Sequence, residues 1–314
     1  MQSTDHMYSI QGLRISRREV LRYAFFAGVG LAAIPLIGCG GEEEQGKGTA
    51  TALLPTVAPS GFFDSDGVKI HYETFGDGRP IVLVHGYTIN LKFNWVDSNW
   101  VDTLQPLRRV VALDCRGHGE SDKPHDPEAY SLENMAGDVL RLMDHLSIDK
   151  ADLLGYSLGS GISSYLLAHH RERFTSVILA AVGDRFVLGP TIEGRSNAMA
   201  EAMLAEDPSQ ITDPGAKAFR AIADAMPNSD LKALATCAQR PGEPIDPADF
   251  AGVDIPVLIV SGANDNVMGK ADELAAAIPG VKLVTIPNAD HLVVFDPRTK
   301  DEVLAFLEEH SQGV

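Results

Sequence analysis

From about residue 62 to its C-terminus, the chain alternates between short apolar runs and longer segments with a helix-like pattern. Strands that alternate with helices are typical of an α/β fold, in which helices cover both faces of a mostly parallel sheet. The runs at 81–84 and 257–260 are apolar throughout, as expected for strands buried on both faces. The pattern predicts strands at 68–73, 81–84, 110–113, 151–154, 176–181, 257–260 and 282–286, and helices at 132–146, 162–169, 271–278 and 299–310.

Residues 184–250 follow a different pattern. Short helix-like segments at 196–206, 215–226 and 229–238 are separated by proline and glycine. Because this segment lies between two core strands, it predicts a helical cap over the sheet. Its large apolar side chains either pack on the core or contact an apolar substrate, and packing is expected for most of them. They are Phe186, Met199, Met203, Phe219 and Met226.

The first 40 residues predict a targeting segment. Arg17-Arg18 forms a twin-arginine export motif, and the 15 apolar residues at 23–37 are too few for a membrane span but suit a signal peptide. The run ends at Cys39, in a sequence similar to the lipobox of bacterial lipoproteins, where the cysteine is acylated. We expect a signal peptide at 1–38, and a lipidated Cys39 that begins a flexible tether over 39–60. A plain signal peptide with an incidental cysteine, or an uncleaved anchor, would be the alternatives.

Composition and charge limit the classes of partner. With 314 residues, of which 45% are hydrophobic, the chain can bury a large core. The formal net charge of −17 argues against a nucleic-acid partner, which would need clustered lysine and arginine. Cys39, Cys115 and Cys237 form no C-x-x-C motif, and nothing in the sequence shows that Cys115 and Cys237 are close. We expect a protein of the bacterial cell envelope, held on a membrane by its N-terminal lipid. Its oligomeric state stays open.

The most informative motif is the pentapeptide from Gly155 to Gly159, because it joins a predicted strand to a predicted helix. A serine hydroxyl is a poor nucleophile unless a base takes its proton and the chain presents it at a reachable point. A sharp turn between a strand and a helix presents the hydroxyl, and small residues on both sides permit that turn. Ser157 is therefore predicted to be a nucleophile.

Two further polar residues follow predicted strands, and ligand sites in such sheets gather at the carboxyl ends of the strands. Asp265 and His291 come after the last two predicted strands. The order Ser157, Asp265, His291 is the one expected of the α/β-hydrolase fold. Residues 61–314 resemble an α/β-hydrolase of the esterase, lactonase or C–C hydrolase type. The resemblance also rests on His85-Gly86, the D-x-R-G-x-G-x-S block at 114–121, and Asp296-Pro297.

The resemblance implies a role for each of these residues and requires neither a metal nor an organic cofactor. Ser157 would attack the acyl carbon, His291 would take its proton, and Asp265 would hold the imidazole. The backbone N–H groups of Tyr87 and Leu158 would bind the oxyanion. The Tyr87 side chain either lines the pocket or only packs. Supporting roles fall to His85, Gly86, Gly155 and Gly159.

Some positions leave alternatives open. Asp184, just after the strand at 176–181, is a rival acid because some relatives are thought to place the acid there. Asp290 stands where a glycine is usual, and its carboxylate either lies near the site or faces solvent. Arg116 is expected to pair with a carboxylate. Asp114 is not expected to bind a metal, since no His/Asp cluster at ligand spacing accompanies it.

The expected activity is hydrolysis of small-molecule carboxylic esters, or of a related acyl substrate, through an acyl-enzyme. A serine nucleophile disfavours the dehalogenase and epoxide-hydrolase branches of this fold, which use an aspartate there. C–C bond hydrolases, lactonases, aminopeptidases and cofactor-free perhydrolases share the triad and stay as alternatives. A non-catalytic binding or signalling member is the alternative from another class.

Overall fold

The computed structural model describes residues 7–10, 13–16, 60–188, 193–241 and 244–311. The twin-arginine motif, the apolar run at 23–37, Cys39 and almost all of the expected tether lie outside these residues. Within the described part of the chain, no helix combines the length and apolar character needed to cross a membrane. Two strands, β1 (Met7–Ile10) and β2 (Leu13–Ser16), pair antiparallel as a separate ribbon.

An eight-stranded sheet forms the centre of the fold. Its strands are β3 (Ser60–Ser65), β4 (Val68–Phe75), β5 (Pro80–Val84), β6 (Arg109–Leu113), β7 (Ala151–Tyr156), β8 (Phe174–Ala180), β9 (Val257–Gly262) and β10 (Lys282–Ile286). Their order in space is β10-β9-β8-β7-β5-β6-β4-β3. Neighbours from β10 to β6 run parallel, whereas β4 is antiparallel to both β6 and β3. The prediction of a mostly parallel sheet is confirmed.

Helices connect the strands and cover both faces of this sheet. They are α1 (Trp100–Leu104), α2 (Leu132–His145), α3 (Leu158–His169), α4 (Asp184–Val187), α5 (Glu193–Leu204), α6 (Pro214–Ala225), α7 (Leu231–Ala238), α8 (Asp272–Ala277) and α9 (Pro297–Glu309). Apolar residues of α2, α3 and α8 share one buried cluster, and those of α1 and α9 share another. The helices therefore form two layers with the sheet between them.

The side chains of β5 show why its sequence is apolar throughout. Successive side chains of a strand point to opposite faces of the sheet. Val82 and Val84 belong to the cluster on the α2 and α3 side, while Ile81 and Leu83 belong to the cluster on the α1 and α9 side. All four are fully buried. Such a strand has no solvent-facing side, so it has no polar positions.

Five elements of the structure are absent from the predicted pattern: β1, β2, β3, α1 and α4. The reasons are clearest for β3 and α1. β3 is an edge strand in which only Phe63 and Ser65 are buried, and it begins at Ser60, inside the range expected to be tether. α1 has five residues, too few to show a helical period in the sequence. It is held by tertiary contacts instead, since the Trp100 indole N–H donates to the carbonyl of Val294 at 2.9 Å.

Helices α5, α6 and α7 lie between β8 and β9 in the chain and gather around a third apolar cluster. Aspartate side chains begin two of them. Asp213 accepts from the N–H of Ala216 at 2.7 Å at the start of α6, and Asp230 accepts from the N–H of Ala233 at 2.9 Å at the start of α7. We refer to α5, α6 and α7 as the cap helices. Cys237, in α7, is a buried free thiol, as is Cys115.

Candidate active site

Ser157 lies at the turn between β7 and α3, where the backbone is strained. Its φ of 53° and ψ of −111° are rare for a residue other than glycine. The Ser157 N–H donates to the carbonyl of Ala180 in β8 at 2.9 Å, which fixes the turn. A side chain at Gly155 would collide with the carbonyl of Gly159, and one at Gly159 with the carbonyl of Val84. Both glycines are therefore required for the close approach of strand, turn and helix.

The structure brings Ser157, His291 and Asp265 into one hydrogen-bonded chain. Ser157 Oγ lies 2.9 Å from His291 Nε2, and His291 Nδ1 lies 2.9 Å from Asp265 Oδ2. The three residues are 3%, 5% and 6% exposed, so little bulk water competes with these bonds. The imidazole is thus placed to accept the serine proton while a carboxylate holds its other nitrogen.

The surroundings of Asp265 keep its carboxyl group ionised. Asp265 Oδ1 accepts from the N–H groups of Val267 and Met268 at 2.8 and 2.9 Å. Burial by itself would raise the pKa of Asp265. The hydrogen bond from His291, its charge and the two N–H groups outweigh burial and lower that pKa below the usual 3.8. Asp265 therefore carries its negative charge throughout the neutral pH range.

The loop after β5 runs directly beside the serine. A Cβ built on Gly86 would lie 3.4 Å from Ser157 Cβ. His85 braces this loop, because its Nδ1 donates to the Gly86 carbonyl at 2.7 Å and its Nε2 accepts from the Cys115 N–H at 2.9 Å. Burial lowers the pKa of His85, so the ring is neutral, as these two roles require. Asn94, which the sequence did not single out, accepts from the Gly86 N–H at 3.1 Å.

Two backbone N–H groups belong to chain segments next to the serine. Leu158 is the first residue of α3, where the N–H has no acceptor within the helix. Tyr87 follows Gly86 in the loop beside Ser157. The next residue, Thr88, has a φ of 64°, which is rare for a β-branched residue, and its hydroxyl donates to the Tyr87 carbonyl at 2.7 Å. N–H groups in these places can stabilise negative charge on an oxygen bound at the serine.

The Tyr87 side chain packs between this loop and the cap helices. Its hydroxyl donates to the Leu234 carbonyl at 2.7 Å, and its ring centroid lies 5.9 Å from that of Phe219 and 5.8 Å from that of His118. Burial raises the pKa of Tyr87 well above its ordinary value, so the hydroxyl keeps the proton it donates. Of the two interpretations of this side chain, the structure shows packing.

Two other aspartates considered from the sequence have capping roles. Asp184 Oδ1 accepts from the Leu274 N–H in α8 at 2.8 Å, so the carboxylate bonded to the histidine is that of Asp265 and not that of Asp184. Asp290 is half-buried, and its Oδ1 accepts from the Leu292 N–H at 2.8 Å. It thereby caps the short helical turn that begins with the histidine itself.

The 114–121 block braces the fold through its charged residues. Arg116 pairs with Asp138 through two hydrogen bonds, Nε to Oδ2 at 2.8 Å and Nη2 to Oδ1 at 2.6 Å. Asp114 lies 2.9 Å from His71 Nδ1 and also accepts from the Leu91 N–H at 2.8 Å. Among the described residues, no group of three or more histidine, cysteine, aspartate or glutamate side chains is arranged to hold a metal ion.

Tyr156 is a site residue that sequence reasoning missed. Its hydroxyl donates to the backbone carbonyl of His291 at 3.2 Å, and its ring centroid lies 5.6 Å from that of the imidazole. The ring also makes an edge-to-face contact with Phe295, at 5.8 Å between centroids. The available signal was an aromatic residue directly before the serine, but its partner is 135 positions away in the chain.

Comparison with known proteins identifies the family to which this fold belongs. Residues 79–206 match the model of the family described as alpha/beta hydrolase fold. A hydrolase from Pseudomonas aeruginosa PA01 has a crystal structure that superposes with a TM-score of 0.66. It is 30% identical to this chain, and the match covers 79% of this chain and 98% of that one.

Two further relatives illustrate the range of the family. The enol-lactonase from Burkholderia xenovorans LB400 superposes with a TM-score of 0.64 at 27% identity, covering 79% of this chain and all of that one. A dihydrolipoyllysine-residue acetyltransferase component of the acetoin cleaving system, from Pseudomonas putida, is 29% identical over 256 residues. That match covers 76% of this chain and 66% of the longer relative.

Proposed function

The chain belongs to the α/β-hydrolase fold family, and from this premise we propose that it is a serine hydrolase that cleaves carboxylic esters or related acyl substrates. The observation that carries the proposal is the hydrogen-bonded chain from Ser157 through His291 to Asp265. A buried serine on a strained turn, bonded to an imidazole that a carboxylate orients, is the arrangement that acyl transfer requires.

The first half of the reaction transfers the acyl group to the enzyme. Ser157 Oγ attacks the carbonyl carbon of the ester while its proton moves to His291 Nε2. Asp265 stabilises the imidazolium through the bond to Nδ1. The oxyanion of the tetrahedral intermediate accepts hydrogen bonds from the N–H groups of Tyr87 and Leu158. When the intermediate collapses, the bond to the leaving-group oxygen breaks and that oxygen takes the proton from Nε2.

The second half releases the acid. A water molecule gives a proton to His291 Nε2 and attacks the acyl carbon on Ser157. The same two N–H groups bind the second oxyanion. Collapse breaks the bond to Ser157 Oγ, which recovers its proton from the imidazole, and the carboxylic acid leaves. The side chains of the described site supply every proton transfer in this sequence.

Hydrolysis of p-nitrophenyl butyrate tests the proposal. We expect the wild type to turn over this ester and to be labelled by a fluorophosphonate, and we expect Ser157→Ala to lower kcat by about 10³-fold or more and to abolish labelling. Ser164→Ala is the matched control, because Ser164 is buried in α3, the helix that follows Ser157, and its hydroxyl donates to the Ser160 carbonyl at 2.8 Å. A correctly folded wild type that neither hydrolyses the ester nor reacts with the probe would indicate a non-catalytic binding protein instead.

A lactonase is a second candidate, favoured by the full-length match to the Burkholderia enol-lactonase. A lactone is a cyclic ester, so the same serine attack opens the ring and leaves the alcohol attached to the acyl chain. The test compares two reactions of the wild type: ring opening of δ-valerolactone, measured as acid release, and hydrolysis of an acyclic ester of the same size. A kcat/KM at least about tenfold higher for the lactone would support this candidate.

We also propose that the protein is exported by the twin-arginine route and held on a membrane by a lipid on Cys39. The support is the sequence alone: Arg17-Arg18, the apolar run at 23–37 and the cysteine that ends it. Cys39→Ala is expected to release the protein from the membrane fraction or to leave it unprocessed. Unchanged membrane partitioning of this variant would contradict lipidation.

A further inference from the structure

The cap helices form an apolar cluster together with two loops of the core. Its residues include Met199 from α5, Phe219 and Ile222 from α6, Leu231 from α7, and Val267 and Met268 from the loop after β9. We call this set the cap cluster. Phe219 and Val267 are buried, whereas Met199, Ile222, Leu231 and Met268 are only half-buried. The half-buried members keep part of their apolar surface available to another molecule.

The cap cluster reaches both sides of the serine. At one end, the Tyr87 ring packs on Phe219, and Tyr87 directly follows Gly86, the residue beside Ser157. At the other end, the N–H groups of Val267 and Met268 hold the carboxylate of Asp265. The cap cluster thus contacts both the loop that carries Tyr87 and the loop that carries Asp265. An acyl chain that extends from Ser157 toward the cap would meet this apolar surface.

Arg220 is a buried cation of the cap helices, and it is already committed to other partners. Arg220 Nε donates to Asp224 Oδ1 at 2.8 Å. Its Nη1 lies 2.9 Å from the Ala202 carbonyl and 2.8 Å from the Ala205 carbonyl. These contacts tie α6 to the end of α5. The guanidinium thus stabilises the cap and does not serve as a partner for a substrate carboxylate.

The net charge of the chain and two carboxylates at the histidine also oppose an anionic substrate. The chain has a formal net charge of −17. Asp265 is bonded to His291, and Asp290 precedes it directly. A negative potential lowers the local concentration of anions, and burial of an unpaired carboxylate under an apolar cap carries a large desolvation cost.

From these observations we infer that the acyl group of the substrate is uncharged and apolar where it meets the cap. The inference rests on the proposed function and narrows it. It separates this chain from enzymes that bind an anionic acyl group through a cation in the cap. The cap cluster contacts the chain of the acyl group, while Ser157 and the N–H groups contact its carbonyl.

Two esters of equal chain length test the inference on the wild type. p-Nitrophenyl hexanoate ends in a methyl group, and mono-p-nitrophenyl adipate ends in a carboxylate. We expect kcat/KM to be on the order of 100-fold higher for the hexanoate. Repeating the comparison in about 0.5 M salt screens the surface charge, so the preference that persists is due to the cap. A ratio near one, or a preference for the adipate, with hydrolysis still dependent on Ser157, would overturn the inference and leave the proposed function intact.

A pair of charge variants locates the effect in the cap cluster. Met199→Lys adds a cation inside the cluster, and we expect it to reduce the preference for hexanoate by about tenfold, because the adipate carboxylate gains a partner. Leu204→Lys is the matched control, since Leu204 lies on the same helix but is 56% exposed. This control is expected to keep the wild-type preference. Equal changes in both variants would assign the preference to net charge and overturn the role of the cluster. If the folded wild type hydrolyses neither ester, that result would contradict both the inference and the proposed function.

Discussion

Three hydrogen bonds fix the imidazole of His291 at the scale of single residues. Two involve its ring nitrogens, and the third holds its backbone carbonyl through the Tyr156 hydroxyl. Tyr156 precedes the serine directly, so it connects the turn that carries Ser157 to the turn that carries His291. Its ring also packs on the imidazole. Tyr156 is therefore a positioning residue that acts through His291.

Tyr156→Phe tests this role, because it removes the hydroxyl and keeps the ring. Loss of one such bond is worth about 1 kcal/mol, so we expect kcat to fall about fivefold while KM stays within about twofold. The measurement is steady-state kinetics on p-nitrophenyl butyrate, with thermal unfolding in parallel. Tyr72→Phe is the control, since its hydroxyl lies 3.2 Å from His145 Nε2 on the α2 side of the sheet. Equal losses of kcat in both variants would contradict a specific effect on His291.

The two candidate acids are distinguished by substitution with asparagine. Asp265→Asn removes the charge that stabilises the imidazolium, and we expect kcat to fall by about 10²-fold or more. Asp184→Asn keeps a side-chain oxygen to cap α8, so we expect kcat within about twofold of the wild type. Both variants are assayed on the same ester at neutral pH. A large loss in the Asp184 variant alone would contradict the assignment.

Individual site residues differed in how far the sequence could predict them. Ser157, Asp265 and His291 were predictable because each follows a strand, and strand ends converge at one edge of a parallel sheet. The choice between Asp265 and Asp184 needed coordinates, since both follow strands. The role of Tyr156 could also be recognised only from the three-dimensional structure. Its partner is a backbone carbonyl, and every residue has one, so the sequence does not indicate which carbonyl a tyrosine will contact.

At the scale of elements, a buried ion pair joins β4 to the loop after β6. His71 Nδ1 lies 2.9 Å from Asp114 Oδ2, and both residues are buried. Burial alone would lower the pKa of His71. The hydrogen bond to Asp114 and the charges of Asp114, Glu73 and Glu120 outweigh burial and raise it above 6.5. The pair therefore couples the stability of this strand to pH.

The sign of this coupling gives a prediction. A histidine whose pKa is raised by folding contributes its full stabilisation below the unfolded value of 6.5, and loses it as pH rises through the raised folded value. We expect the difference in unfolding free energy between the wild type and His71→Gln to be largest near about pH 6 and to shrink toward about pH 9. Urea unfolding at several pH values measures it. A difference that is constant or grows with pH would contradict the assignment.

The sequence predicted elements whose burial produces a clear local pattern, and it missed β3 and α1, whose burial does not. Central strands such as β5 and β9 were predictable because burial on both faces makes them continuously apolar. β3 was missed because an edge strand buries only alternate residues, and six residues show few repeats. α1 was missed because its helical form depends on burial of Trp100 against distant residues rather than on a local period.

At the scale of the whole molecule, Asp152 connects the end of α9 to the N-terminal ends of the central strands, through two arginines. Asp152 is 1% exposed and accepts from Arg79 Nη2 at 3.0 Å, while Arg108 Nε lies 3.4 Å from its Oδ2. The same two arginines donate to carbonyls of Leu307 and His310 at 3.2 Å each. One buried carboxylate thereby orients two guanidinium groups that hold the C-terminal end of α9.

Asp152→Ala leaves these arginines without their buried partner, and we expect it to lower the free energy of unfolding by about 3 kcal/mol. We expect kcat/KM below the unfolding transition to be unchanged, because Asp152 is the second residue of β7 and Ser157 follows the opposite end of that strand. Asp144→Ala is the control, since Asp144 is 67% exposed and its pair with Arg173 is worth less than about 1 kcal/mol. Equal destabilisation in both variants would contradict the role of Asp152.

The contact between Tyr87 and the cap helices limits the exchange of caps between related enzymes, because the cap and the core depend on each other there. A cap grafted from a relative would change the pocket, but it would also remove the carbonyl of Leu234 to which the Tyr87 hydroxyl donates. Tyr87, whose backbone N–H is proposed to bind the oxyanion, would then lose this anchor. We expect chimaeras that restore an acceptor and an aromatic neighbour at these two places to keep their turnover, and those that exchange the cap alone to lose both specificity and rate.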